Sequence, residues 1–168
     1  MKLQKNLKIL LLSIFTVTLI ASCGSDSSPV AVTNNSPQKV LKTGLSDITV
    51  GLFYSSQTEY PFDQVNYVDA STAQNLLKEL ALPLETPVQE VGFDNFFENL
   101  TKIDDNTDAG QRAKAKRYAD MQQLLKTNLT ELKVYRVGDE TKVGIYILGK
   151  FSDGSWTGLR TYSIEKPV

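Results

Sequence analysis

The residue types that most often carry catalysis are nearly absent from this chain. It has no histidine and a single cysteine, Cys23, which excludes Ser-His-Asp triads, Cys-His pairs and His-ligated metal sites. The adjacent carboxylates Asp104 and Asp105 would suit general acid/base work or a hard cation. Neighbouring side chains in a loop diverge, however, and no EF-hand spacing surrounds this pair. We therefore predict that the protein is not an enzyme and uses neither a metal nor another cofactor.

The chemistry that Cys23 does suggest is lipidation. Three lysines precede an apolar run over residues 9–20, which is short for a membrane span. The run leads into the sequence IASC, which resembles the cleavage site of bacterial lipoproteins. We predict that residues 1–22 are a signal peptide and that Cys23 becomes the lipidated N-terminus, bound to a membrane through its acyl chains. The alternatives are a plain secretory signal or an N-terminal anchor with a spectator thiol.

The segment after the cysteine reads as a tether. Residues 23–37 are rich in Ser, Asn and Pro and have no apolar period, so we assign the globular domain to residues 38–168. Gly24 stands where inner-membrane lipoproteins of enteric bacteria carry an aspartate, which favours the outer membrane over the inner one. The predicted location is extracytoplasmic and membrane-anchored.

Removal of the signal peptide changes the charge of the protein. It takes away three lysines and no acid, so the 18 basic residues fall to 15 against 19 acidic ones, and the net charge changes from −1 to −4. A protein that binds nucleic acid directly normally shows a basic footprint. The balance predicts no direct nucleic-acid binding and suits a basic protein partner.

Elements that could position a binding site follow from the hydrophobic period. Apolar spacing predicts a helix over residues 39–48, a second over 72–82 capped by Ser71, a short third capped by Asp94, and a long fourth over 109–129 capped by Thr107 or Asp108. Strands are predicted over residues 64–68, 88–93, 132–137, 142–151 and 155–165.

The last three predicted strands are separated by turn signals, Gly138-Asp139-Glu140 and Ser152-Asp153-Gly154, and should form a meander. The middle strand, residues 142–151, is apolar on both faces and therefore needs cover on both sides. The fold class we predict is α+β, a three-layer α-β-α sandwich with a C-terminal antiparallel meander.

The stretch from Gly51 to Asp63 is the best candidate for a binding loop. Pro61 forbids a continuing helix, and Phe53, Tyr60 and Phe62 are too many rings for a plain solvated loop. We expect a polar tip, residues 55–59, held by aromatic side chains that are buried in the core. The alternative is an ordinary turn with buried rings.

Two runs of charge are more ambiguous. Residues 85–108 carry seven acids against Lys102 alone, which fits a binding surface or a solvated face. The basic cluster in the first half of the long helix reads as a solvated face rather than a phosphate site, because no Gly-rich loop accompanies it. Its members are Arg112, Lys114, Lys116 and Arg117.

The stretch GLFYSSQTEYPFD resembles the signature of the nuclease A inhibitor family. The motifs FFENL, LLKTNL, VYRVG and VGIYILGK follow in the family's order and at compatible spacing, from about Lys39 to about Lys166. The resemblance implies an α-β-α sandwich that inhibits a secreted or periplasmic sugar-nonspecific endonuclease by filling its basic, metal-containing cleft. It also implies partner contacts from three segments, whose residues are Gln57, Thr58, Glu59 and Tyr60; Asp104, Asp105, Asn106 and Asp108; and Lys166.

Three positions depart from the family pattern. Gln57 replaces an acid, Asn106 stands near the place of an exposed tryptophan, and Lys166-Pro167-Val168 replaces a terminal threonine directed at the nuclease metal. Each change removes a group suited to a basic, metal-containing cleft. An envelope lipoprotein that uses the same fold to bind a different protein partner therefore stays open as the alternative.

Overall fold

The computed structural model describes residues 36–139 and 141–164, which belong to one compact unit. The predicted signal peptide, Cys23, most of the predicted tether and Lys166 lie outside the described residues.

Four helices occur in the described ranges, and all four were predicted. They are α1 (Pro37–Thr49), α2 (Ala73–Glu79), α3 (Phe93–Thr101) and α4 (Ala109–Asn128). The start of α4 has a complete capping box, in which the Asp108 carboxylate accepts from the Gln111 backbone N–H at 2.8 Å and the Gln111 side chain accepts from the Asp108 N–H at 3.3 Å. This reciprocal pairing satisfies two backbone donors and fixes where the long helix begins.

The caps predicted for two shorter helices were wrong. Thr72, not Ser71, caps α2, because the backbone N–H of Ser71 is bound to the carboxylate of Asp69 in the preceding turn. Gly92 precedes α3, and Asp94 lies within the first helical turn instead. There its carboxylate is free to reach Lys126 on α4, at 2.5 Å.

The main sheet has five antiparallel strands in the order β3-β7-β6-β5-β4. The strands are β3 (Asp63–Tyr67), β4 (Val88–Val91), β5 (Thr130–Val137), β6 (Lys142–Lys150) and β7 (Trp156–Ile164). The predicted meander is confirmed as β5-β6-β7. Its register places Tyr135 opposite Tyr146 and Ile147 opposite Leu159.

Helices cover both faces of this sheet, as predicted for a three-layer sandwich. On one face, α1, α3 and α4 pack residues such as Leu45, Phe97 and Met121 against Ile145 and Ile147 of β6. On the other face, α2 packs Leu76 and Leu77 against a cluster that includes Tyr135, Leu148 and Trp156. The second layer is thin, because α2 has only seven residues.

The segment expected to be a loop, residues 51–63, contains a separate hairpin of β1 (Phe53–Ser55) and β2 (Glu59–Pro61). Of the three predicted aromatic anchors, Phe62 is buried and Tyr60 is half-buried, but Phe53 is exposed. Tyr54 supplies the inward ring instead, because neighbouring side chains in a strand point to opposite faces.

The backbones of β6 and β7 approach closely at Gly158. A Cβ atom built there would lie 1.9 Å from the carbonyl oxygen of Ile147, whereas one at Gly154, in the preceding turn, meets no atom within 4 Å. We expect Gly158→Ala to lower the free energy of unfolding by more than about 3 kcal/mol, since the central strands must move apart. Gly154→Ala should cost only about 1 kcal/mol, from its positive φ of 91°. Urea unfolding of both variants measures the difference, and equal losses would contradict the close approach.

Candidate functional site

The hairpin β1-β2 presents the polar tip predicted from the sequence. Tyr54 lies opposite Tyr60, and the turn over residues 56–58 closes with the Ser56 backbone N–H and side-chain O–H both donating to the carbonyl of Thr58, at 3.2 and 3.0 Å. Gln57, Thr58 and Glu59 are exposed. A polar, hydrogen-bonded tip of this kind can contact another protein without first being ordered.

From the helical side, α4 and α3 hold the hairpin. The hydroxyl of the buried Tyr118 donates to the carbonyl of Phe53 at 2.7 Å, and burial raises the pKa of Tyr118 well above its usual value, so this donor keeps its proton. The ring of Tyr54 stacks on Phe96 of α3, with centroids 5.9 Å apart. These contacts attach β1 to the two helices α3 and α4.

From the sheet side, the end of β7 holds the hairpin. The Thr161 hydroxyl donates to the carbonyl of Tyr60 at 3.3 Å, and the Ile164 N–H donates to the Ser56 hydroxyl at 3.0 Å. The rings of Tyr60 and Tyr162 meet edge to face at 5.7 Å. A two-stranded hairpin alone is marginally stable in water, so these attachments on two sides are what pre-organise it.

The loop between α3 and α4, residues 102–108, contains the predicted acidic segment, residues 104–108, and is called the acidic loop below; its own side chains order it. The Asp104 carboxylate accepts from the Asn106 N–H at 3.0 Å and from the Thr107 hydroxyl at 2.9 Å. Arg112 of α4 donates to the carbonyl of Thr107 at 2.8 Å. Asp105 is exposed and has no partner within the described ranges.

The hairpin and the acidic loop line one groove of about 370 Å³. Ser55 of β1 and Asp104 and Thr107 of the loop contribute to it, with Asn99 and Lys102 from the end of α3 and its flank. Of the described residues predicted to contact a partner, only Asp104 lines this groove, and the hairpin contributes Ser55 in place of the predicted residues 57–60. The first two of the three segments named above therefore border the groove without filling it. The third cannot be placed, since Lys166 is not among the described residues, although Ile164 of β7 already contacts the tip.

Lys114 of α4 lines this groove and contacts the hairpin, a role that the sequence interpretation of Lys114 as part of a solvated face missed. Its ammonium donates to the Ser55 hydroxyl at 2.6 Å and lies 3.8 Å from the carboxylate of Glu59, whose side chain is 64% exposed. The hairpin carboxylate therefore has an internal counter-charge. Nothing in the local pattern of α4 indicates this contact, because its partners lie 55 and 59 positions earlier in the chain.

The interpretation of the basic cluster as a solvated face was right for Lys116 only, which pairs with Asp120 on the surface. Arg117 donates to the carbonyls of Ile48 and Val50, and so satisfies backbone acceptors left open at the end of α1. Arg112 supports the acidic loop and Lys114 the hairpin. Three of the four cations therefore have structural partners that determine the shape of this end.

The acids of residues 85–108 are also dispersed by the fold. Glu90 pairs with Lys133 at 3.0 Å, far along the chain on β5. The hydrogen bond from Lys126 holds the pKa of Asp94 below its usual value. Asp108 caps α4. Among these acids, Asp104 lines the groove, and Asp105 is the next residue in the chain. Four of the seven acids have a partner within the protein, so the run does not form one binding patch.

Other candidate sites are weaker. A larger depression of about 640 Å³ lies beside Gln89, Arg136 and Thr141, but it contains none of the residues predicted to contact a partner, so we take the smaller groove as the site. In the part of the chain that the structure describes, no cluster of three or more His, Cys, Asp or Glu side chains is placed to bind a metal ion. No helix within those same ranges is long and apolar enough to cross a membrane.

Comparison with known proteins gives one finding. A family model described as nuclease A inhibitor-like protein matches residues 39–166. A search of curated proteins found no match. The matched region contains the hairpin, the acidic loop and the whole main sheet.

The Tyr118 hydroxyl tests whether the hairpin depends on α4. Tyr118→Phe should cost about 1–2 kcal/mol of stability, because the Phe53 carbonyl loses its donor, and it should also speed amide hydrogen exchange in residues 53–61. Tyr135→Phe is the matched control, since this second buried tyrosine donates to the carbonyl of Ser71 at 3.3 Å, away from the hairpin. Hydrogen-exchange mass spectrometry on both variants compares the exchange rates of the hairpin amides. Unchanged hairpin exchange in Tyr118→Phe would refute the attachment.

Proposed function

The chain belongs to the nuclease A inhibitor-like family, and on that premise we propose that it inhibits a sugar-nonspecific endonuclease, an enzyme that cleaves DNA and RNA alike. The observation that carries the proposal is the groove shared by a pre-organised hairpin and an ordered acidic loop. The family is an inhibitor family, and we propose that the chain has no catalytic activity of its own.

Inhibition would act by occupying the cleft that the nuclease uses for its polyanionic substrate. Such a cleft is basic, so two exposed carboxylates beside the groove suit it: Glu59, which faces the groove-lining Lys114, and Asp105, which follows the groove-lining Asp104. The mature net charge of −4 would raise the association rate through long-range attraction. The pre-organised tip over residues 56–58 would limit the entropy lost on binding.

A second candidate function is binding of a different protein partner through the same end of the fold. It is favoured by the neutral residues Gln57 and Asn106 and by the pairing of Glu59 with Lys114. Gln57 and the Lys114 pairing reduce the negative charge available to a basic cleft, whereas Asn106 lacks the aromatic ring of the tryptophan that the family pattern carries near this position. A partner that is less basic than a nuclease cleft would fit these features better.

We also propose that the protein acts outside the cytoplasm, tethered by lipid on Cys23. The support is the sequence IASC after a short apolar run. The predicted tether, which ends where α1 begins at Pro37, would have a reach of about 20 Å and lift the domain away from the head groups. Its target would then be a secreted or periplasmic endonuclease, with the outer membrane as the favoured site.

Titration of a purified sugar-nonspecific endonuclease tests the inhibitor proposal. Wild-type protein should inhibit stoichiometrically. Gln57→Glu should lower the inhibition constant by about tenfold, since a paired charge contributes about 1–3 kcal/mol, and Asp105→Ala should raise it by a similar factor. Glu85→Ala, which removes an exposed acid that does not line the groove, should change nothing. If wild type inhibits no such enzyme, including any encoded by the same organism, the second candidate replaces the first.

Membrane fractionation tests the anchor. Wild-type protein should incorporate labelled fatty acid and sediment with membranes, whereas Cys23→Ser should take up no label and remain unprocessed or be released in soluble form. Density-gradient separation of inner and outer membranes then locates the wild type. A wild-type protein without label would rule out lipidation.

A further inference from the structure

Two large apolar side chains are exposed in the segments that border the groove, although neither lines the groove itself. Phe53 of β1 is 39% exposed, and Ile103 in the acidic loop is 51% exposed. Strand alternation turns position 53 outward, because Tyr54 packs inward on Phe96, but it does not require an apolar residue at position 53. Leaving such groups in water costs about 25 cal/mol per Å² of apolar surface that a partner could bury.

Lys114 lies between two concavities, one beside each of these side chains. On one side of it, Phe53 lines a depression of about 280 Å³ together with Glu59 and Gly110. On the other side lies the groove described above, lined by Lys102 and Asp104, the two neighbours of Ile103 in the chain. Lys114 lines both concavities. We call the surface around Lys114 the polar ridge; its carboxylates are Glu59, Asp104, Asp105 and Asp108. It lies between the depression that Phe53 lines and the groove beside Ile103.

Charge alone is a poor source of affinity at this ridge. Of its four carboxylates, Glu59 faces Lys114, Asp104 accepts two hydrogen bonds within its own loop, and Asp108 caps α4. Only Asp105 has no partner within the described residues. Nearby cations, Lys102, Arg112 and Lys114, nearly balance the four acids. Exposed pairs of this kind contribute little energy, whereas buried apolar and aromatic anchors dominate protein interfaces.

We propose that Phe53 and Ile103 are the anchors of this interface, and that each binds an apolar pocket on the rim of the basic cleft of a sugar-nonspecific endonuclease. The carboxylates Glu59 and Asp105 then act mainly on the association rate. This inference rests on the proposed function, and it adds the chemistry that the partner must offer: apolar pockets bordered by cations.

Surface plasmon resonance with immobilised, purified sugar-nonspecific endonuclease and the full-length chain in detergent tests the assignment. Phe53→Ser and Ile103→Ser should each raise the dissociation rate by about 30-fold and change the association rate by less than about threefold. Glu59→Gln should instead lower the association rate and make that rate less dependent on salt concentration.

Leu84→Ser is the matched control: it also removes an apolar side chain, one that is 55% exposed in another loop, and it should bind as wild type does. Melting temperatures within a few degrees of wild type exclude unfolding, and Ile103→Ser keeps the test valid if Phe53→Ser unfolds the hairpin.

The outcomes separate the two proposals. If wild type binds the nuclease and neither anchor variant changes the dissociation rate, the anchors are wrong and the inhibitor function stands. If Leu84→Ser weakens binding as much as the anchor variants, the anchors have no special role. If wild type binds no nuclease, both proposals fail. Loss of a wild-type dimer in Phe53→Ser, with nuclease binding unchanged, would assign the patch to self-association and overturn the inference.

Discussion

Strand β6 is buried along almost its whole length, and the rest of the fold follows from that constraint. A strand with Ile145 and Ile147 on one face and Tyr146 and Leu148 on the other has no face to turn toward water. Its backbone groups must pair on both sides, which β5 and β7 do, and its side chains need a layer above and below. The unequal layers, three helices against the short α2, meet that need.

The thick layer also builds the candidate site. Helix α4 packs Met121 and Leu125 into the core, which fixes the position of its first half beside the hairpin. From there Tyr118, Lys114 and Arg112 reach β1 and the acidic loop. The packing of α4 in the core therefore fixes the side chains that shape the groove. The hairpin is held in place by its hydrogen bonds to that helix.

Electrostatics has a more limited part than the composition suggests. The chain has 19 acidic residues against 18 basic ones, yet most carboxylates near the groove are paired or hydrogen-bonded inside the protein. Net charge governs attraction at distances beyond contact, whereas affinity depends on what is buried at the interface. At this end the exposed side chains of Phe53 and Ile103 offer apolar surface that a partner could bury.

The sequence by itself determined the sandwich, the meander and the start of α4, because these depend on period, turn residues and a capping pair a few positions apart. It also carried the family motifs that the match over residues 39–166 supports. Only the tertiary structure decided that Tyr54 rather than Phe53 faces the core, that Lys114 opposes Glu59, and that Arg117 closes the end of α1. These contacts, the first of them from Tyr54 to Phe96, join residues 42 to 69 positions apart. Whether two such groups meet depends on how helices pack on a sheet, which no local pattern encodes.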